Sequence, residues 1–118
     1  MHQATAPLTS SYVTREELLA TFDDRLGVVR EVVAGFLSRC PILLEQIRAG
    51  LREGNAGAIS FAAHNLKGSI GYFAHGDVYA AAQRIEQITA AELPLLPTLL
   101  QKLEQQLGEL TRYLEHEC

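Results

Sequence analysis

Apolar side chains recur along this chain at steps of three and four residues, the spacing that places them on one face of an α-helix. The pattern breaks near residues 23–24, 54–55, 75–77 and 90–94, where aspartate, asparagine, glycine and proline collect. Asn-Gly or Asp-Gly pairs between alternating apolar runs, which would indicate β-hairpins, do not occur. The pattern therefore predicts an all-α fold.

The first two helices are indicated by their boundary residues. Thr14 and Glu17 have the spacing of a capping box, which predicts the start of a short helix. We expect Asp23 and Asp24 to end that helix and to cap the next one. The second helix is long, and Pro41 should cause a kink or a brief interruption in it. Its apolar stripe comprises Val29, Val32, Val33, Phe36, Cys40, Leu43, Ile47 and Leu51.

Three further helices follow the second. The third is predicted from about Asn55 to about Phe73, and Asp77 is the expected N-cap of the fourth. A fifth helix follows because Pro94 and Pro97 are tolerated in a first helical turn. Its leucines alternate at steps of four and three, as in a coiled-coil seam: Leu96, Leu100, Leu103, Leu107, Leu110 and Leu114.

Four main helices with short links predict an antiparallel four-helix bundle of up-down-up-down order, with one short extra helix at the N-terminus. A length of 118 residues suits one domain with a single core. We assign that bundle domain to residues 14–118. Residues 1–13 are small and polar, and we interpret them as a flexible N-terminal tail.

Charge and hydropathy narrow the classes of partner. A net charge of −4 lacks the basic excess that binding to nucleic acid requires. No apolar run approaches the roughly 20 residues that a membrane span needs, and no secretory signal is evident, so we expect a cytoplasmic protein. Cys40 and Cys118 do not have the spacing of a metal site, and Cys40 falls on a core stripe.

The third helix carries the candidate chemistry. With about 100° per residue, its apolar residues occupy one wedge, namely Ile59, Ala62, Ala63, Leu66, Ile70 and Phe73. The opposite side carries Gly57, Ser60, His64, Lys67, Gly68 and Gly71. His64 lies roughly 150° from the centre of the apolar wedge, so its imidazole should face solvent.

Glycine inside a helix costs about 0.8 to 1 kcal/mol relative to alanine, so Gly68 and Gly71 need a compensating role. Removing side chains from one helix surface allows another molecule's backbone to approach closely. An exposed imidazole, a lysine one turn away and a bare surface together predict a site that accepts a phosphoryl group from a docked protein. Phe61 and Tyr72 flank this face and are candidate docking contacts, as is Ser60.

The run from His64 to Ser69, HNLKGS, followed by Val78 and by Ile85-Glu86, resembles the histidine phosphotransfer (HPt) domains of multistep phosphorelays. The resemblance implies a four-helix bundle in which His64 is the phosphoacceptor, Lys67 its electrostatic partner and Gly68 the position that admits the incoming domain. It implies partners of the response-regulator receiver class, a hybrid sensor histidine kinase, or both.

The resemblance and the residues also imply which groups this chain does not supply. No Gly-rich phosphate loop occurs, so we expect no ATP use, no bound cofactor and no metal site, with Mg²⁺ supplied by the receiver. A self-contained bundle favours a monomer. Two alternatives remain: an interaction module that binds receivers or kinases without carrying phosphate, and the phosphoacceptor region of a sensor kinase. The second usually has an acidic residue after its histidine, where this chain has Asn65.

Overall fold

The computed structural model describes residues 12–117. They form five α-helices, which we number α1 (Arg15–Thr21), α2 (Leu26–Arg52), α3 (Ala56–Ile70), α4 (Asp77–Glu86) and α5 (Leu96–Glu117). A 3₁₀ helix (Ala90–Leu95) leads into α5. Within this part of the chain there is no β-strand, so the all-α prediction is confirmed. Most of the predicted tail, residues 1–11, lies outside the described residues, as does Cys118.

The α1 helix begins and ends as predicted, but the start of α2 differs from the prediction. The capping box is present, because the Glu17 N–H donates to Thr14 Oγ1 at 3.1 Å and the Thr14 N–H donates to Glu17 Oε1 at 2.8 Å. Asp23 and Asp24 both have left-handed backbones, with φ of 56° and 59°, and they end the helix. The prediction that they cap α2 is wrong: the N-cap is Arg25, and it makes no side-chain cap.

The α2 helix runs for 27 residues and includes Pro41 without an interruption. Proline removes one backbone N–H from the hydrogen bonds of the helix. The helix continues through Pro41 because buried side chains on both sides of this position pack against the core. Gly50 is buried at the contact between α2 and α3. A Cβ built at Gly50 would come within 2.6 Å of Ile59 Cγ1, so a side chain at this position would push the two helices apart.

Two later boundaries also differ from the sequence-based ones. The α3 helix begins after Asn55 as predicted, with the Asn55 side chain accepting from the Ala58 N–H at 3.0 Å, but it ends at Ile70, before the predicted Phe73. The α4 helix begins after Gly76. Asp77 is therefore the first helical residue of α4 and not its N-cap, a position where a carboxylate still interacts favourably with the helix dipole. Pro94 lies in the 3₁₀ helix, so only Pro97 belongs to the first turn of α5.

The core is apolar, and α2 packs against α3, α3 against α4, and α4 against α5, while α2 also contacts α5. Every residue of the predicted leucine seam on α5 is buried, as is every residue of the predicted wedge on α3. Tyr12 and Val13 belong to the predicted flexible tail, but they are partly buried and pack against the core. The Val13 N–H donates to the Phe73 carbonyl at 2.7 Å, and the Tyr113 hydroxyl donates to the Val13 carbonyl at 3.1 Å.

Candidate functional site

His64 lies near the middle of α3, on the face turned away from the core. Its side chain is 61% exposed, as the helical wheel predicts. The neighbouring positions Ala63 and Leu66 are fully buried and hold this stretch of α3 in place against the core. The imidazole therefore projects from a fixed backbone into a region that another molecule can reach.

A carboxylate from the next helix holds one side of that imidazole. Glu86 is the last residue of α4, and its Oε2 lies 2.8 Å from His64 Nδ1. An ionised carboxylate can only accept hydrogen bonds, so in this contact the Nδ1–H of His64 donates a hydrogen bond to Glu86 Oε2. The Ser60 hydroxyl donates to the backbone carbonyl of Glu86 at 2.6 Å and fixes the end of α4 against α3.

Lys67 completes a three-residue cluster around the same carboxylate. Its Nζ lies 2.7 Å from Glu86 Oε1, and it lies 5.9 Å from the centre of the Tyr79 ring. The Lys67 side chain is only 18% exposed and that of Glu86 23%, so this ion pair is more shielded from water than His64 is. Lys67 lies on the same side of α3 as His64, as the helical wheel predicts, but its ammonium is directed across to Glu86 on α4.

The charges in this cluster stabilise one another. The pKa of Glu86 is lowered, first by its contact with the Lys67 ammonium and then by its contact with His64. The pKa of Lys67 is raised, mainly because its ammonium contacts the Glu86 carboxylate. Glu86 therefore stays ionised and Lys67 stays protonated across the neutral pH range.

Glu86 belongs to the site although it is not among the predicted site residues. It entered only as part of the Ile85-Glu86 pair in the family resemblance. Its position 22 residues after His64 carries no local signal, because only the packing of α4 on α3 brings the two side chains together.

Gly68 and Gly71, the two glycines that follow His64, have different surroundings. A Cβ added at Gly68 would meet nothing within 4 Å, so the packing of this chain does not require a glycine at that position. A Cβ at Gly71 would lie 3.5 Å from the Tyr79 ring and 3.5 Å from the Gly68 carbonyl. Gly71 therefore belongs partly to the contact between α3 and the residues of α4.

Large apolar side chains remain exposed on both sides of Gly68. Phe61 is 68% exposed and Tyr72 is 56% exposed, and neither takes part in the core. Phe61 borders a shallow cavity of about 300 Å³ between α2 and α3, lined by Gln46, Ala49, Gly50, Glu53 and Ala58. Tyr72 lies beside Phe22 at the other end of the face, with ring centres 6.3 Å apart.

Comparison with protein families now places the chain. The model of the Hpt domain matches residues 31–113, which is more than half of the sequence. The chain belongs to the Hpt domain family. No curated protein and no solved structure matched in the corresponding comparisons.

Hpt domains carry out histidine phosphotransfer in phosphorelays and interact there with receiver domains and kinases. In this Hpt domain, His64, Lys67 and Glu86 all fall inside the matched range, whereas α1 precedes it. Within residues 12–117, no group of three or more histidine, cysteine, aspartate or glutamate side chains has the arrangement of a metal site. None of the helices in this range is both long enough and apolar enough to cross a membrane.

Proposed function

We propose that His64 accepts a phosphoryl group from the aspartyl phosphate of one receiver domain and later passes it to another receiver domain. The observation that supports this is the environment of the imidazole: its Nδ1 is hydrogen-bonded to Glu86, while the side chain is 61% exposed. Because a neutral imidazole has one protonated nitrogen, a proton on Nδ1 leaves the lone pair on Nε2. The distal nitrogen is thus free to attack.

The transfer is a displacement at phosphorus. The Nε2 lone pair of His64 forms the N–P bond while the P–O bond to the receiver aspartate breaks, and the aspartate oxygen keeps the electron pair. Glu86 keeps the ring in the required tautomer and orientation during the attack. The ammonium of Lys67 has three N–H donors, so it can hold Glu86 and also donate to a phosphoryl oxygen.

We assign most of the remaining catalytic charge to the receiver. The described residues offer one carboxylate near His64, and Glu86 is already paired with Lys67, so we expect Mg²⁺ to come with the partner. ATP has no binding loop in this sequence, and we expect no kinase activity. The protein then acts in the cytoplasm as a monomeric antiparallel four-helix bundle, with receivers or a hybrid sensor histidine kinase as partners.

The receiver would dock along the outer face of α3 and the adjoining face of α2. Glu86 covers the α4 side of the imidazole, so the open side of the ring is directed away from α4. Gly68 offers a bare surface there, Phe61 and Tyr72 offer exposed aromatic area, and Ile42 on α2 is also exposed. Ser60 and Gly71 stay predicted contacts, although the Ser60 hydroxyl is already bonded to Glu86.

The test is phosphoryl transfer from a panel of phosphorylated receiver domains. We expect the wild-type protein to acquire an acid-labile, base-stable label and His64→Gln to acquire none. His75→Gln is the matched control, because His75 is also exposed on the described surface and should leave the labelling unchanged. Labelling of His64→Gln would contradict the assignment of the acceptor.

A further inference from the structure

The carboxylate of Glu86 also acts on His64 after the phosphoryl group has arrived. Attack through Nε2 leaves the ring with a proton on Nδ1 and a phosphoryl group on Nε2, so the ring is positively charged until that proton dissociates. Glu86 Oε2 lies 2.8 Å from Nδ1, on the side of the ring where this proton sits. A carboxylate at hydrogen-bond distance favours the charged form of the group it faces.

We propose that Glu86 retains the Nδ1 proton on the phosphorylated ring, and that it thereby keeps phosphohistidine in the form that releases its phosphoryl group most readily. This inference rests on the proposed function, because it concerns the same acceptor, His64. It assigns Glu86 a part in the onward step as well as in the attack.

The chemical reason lies in the leaving group. When the N–P bond breaks, Nε2 keeps the bonding electron pair, and the phosphoryl group passes to a receiver carboxylate oxygen or to water, which loses a proton to solvent. A ring that holds its Nδ1 proton departs as neutral imidazole. A ring that has lost this proton departs as an imidazolate anion, which is a much poorer leaving group.

The surrounding charges favour this assignment. Among the described residues, Glu86 on α4 contacts His64, and Lys67 on the same helix as His64 contacts Glu86. Tyr79 on α4 lies beside the Lys67 ammonium. Lys67 contacts Oε1 of Glu86 at 2.7 Å, which leaves Oε2 for the ring proton. Because Lys67 also keeps Glu86 ionised, the carboxylate remains a charged acceptor at neutral pH.

The pH dependence of phosphohistidine hydrolysis tests this inference without any receiver. Phosphoramidate, a small phosphodonor, labels the protein, and peptide mass spectrometry follows the loss of the label from His64 between about pH 5 and about pH 9. Glu86→Gln removes the charge but keeps an amide oxygen that can accept from Nδ1. We expect equal rates at the acid end, and about tenfold slower loss from Glu86→Gln above about pH 8.

Glu31→Gln is the control for a general loss of one negative charge, because Glu31 is exposed on α2 and belongs to no contact of the cluster. It should reproduce the wild-type profile. The inference is overturned if the rates of label loss from wild type and Glu86→Gln differ by less than about threefold at every pH, or if the variant loses its label faster. Either result would still leave His64 as the acceptor. Uptake of the label from phosphoramidate but from no receiver would instead contradict the proposed function, and with it the part of Glu86 in transfer to a receiver.

Discussion

The α3 and α5 helices contribute to the same core with different side chains. α5 buries six leucines at regular steps, and its outer positions are mostly polar. α3 buries two alanines beside larger residues, and its outer face combines the exposed Phe61 with the bare Gly68 and the imidazole of His64. Burial alone explains the sequence of α5. The outer face of α3 has apolar area and missing side chains that burial does not require, which is typical of a surface used by a partner.

The largest expected effect is on α5, where the comparison predicts a purely structural role. Leu110 is fully buried, so Leu110→Ala should lower the free energy of unfolding by about 2 to 5 kcal/mol through lost burial and a residual cavity. Urea unfolding measures this loss. Leu95 is exposed, and Leu95→Ala should stay within about 0.5 kcal/mol of the wild type. A similar loss from both variants would show that the seam is not the main source of stability.

The buried residues of α5 and of α3 could be predicted from the sequence for a simple physical reason. Burial follows helical periodicity, and periodicity is a local property of the sequence. The exposure of His64 could be predicted for the same reason. These features needed no knowledge of how the helices pack.

The cluster around Glu86 could not be predicted in this way. Periodicity shows which face of α4 is buried, but it does not show which residue of α4 lies opposite His64. Asp23 and Asp24 are a similar case, because their left-handed backbones depend on how α1 joins α2 and not on their identity as capping residues. The misplaced N-cap at Asp77 is an error of one residue, which is common at helix ends.

On α3, the second prediction concerns the cation. Lys67→Ala should slow phosphoryl transfer from a receiver by roughly tenfold or more, because the phosphoryl oxygens lose a charged donor and Glu86 loses its counter-ion. Single-turnover kinetics measure the rate, and circular dichroism should show unchanged helix content. A large loss of helicity would place Lys67 with the structural residues of α5 instead.

The third prediction separates docking from chemistry. Phe61→Ser should raise the KM for a phosphorylated receiver by about tenfold, because an exposed aromatic contact is lost, and should leave kcat nearly unchanged. Labelling of His64 by phosphoramidate should be the same in the variant and the wild type. Leu95→Ala serves as the matched control, since it also removes exposed apolar area, away from α3. An unchanged KM for Phe61→Ser would remove Phe61 from the docking surface.

The smallest expected effect comes from glycine-to-alanine substitutions, which compare α3 and α5 most directly. Each of these two helices contains a glycine to which a methyl group could be added. A Cβ at Gly68 on α3 meets nothing within 4 Å, and one at Gly108 on α5 meets only the end of Arg112 at 3.7 Å. Both Gly68→Ala and Gly108→Ala should therefore raise the free energy of unfolding by up to about 1 kcal/mol.

The two glycine variants should differ in transfer. Gly108→Ala should transfer at the wild-type rate, whereas Gly68→Ala should be slower, and Gly68→Gln slower still, because the receiver backbone needs the space beside His64. Stability from urea unfolding and transfer rate from single-turnover kinetics are then compared for each variant. If Gly68→Ala gains stability and keeps its full rate, the bare surface of α3 serves no partner, and the difference between the two helices loses its functional meaning.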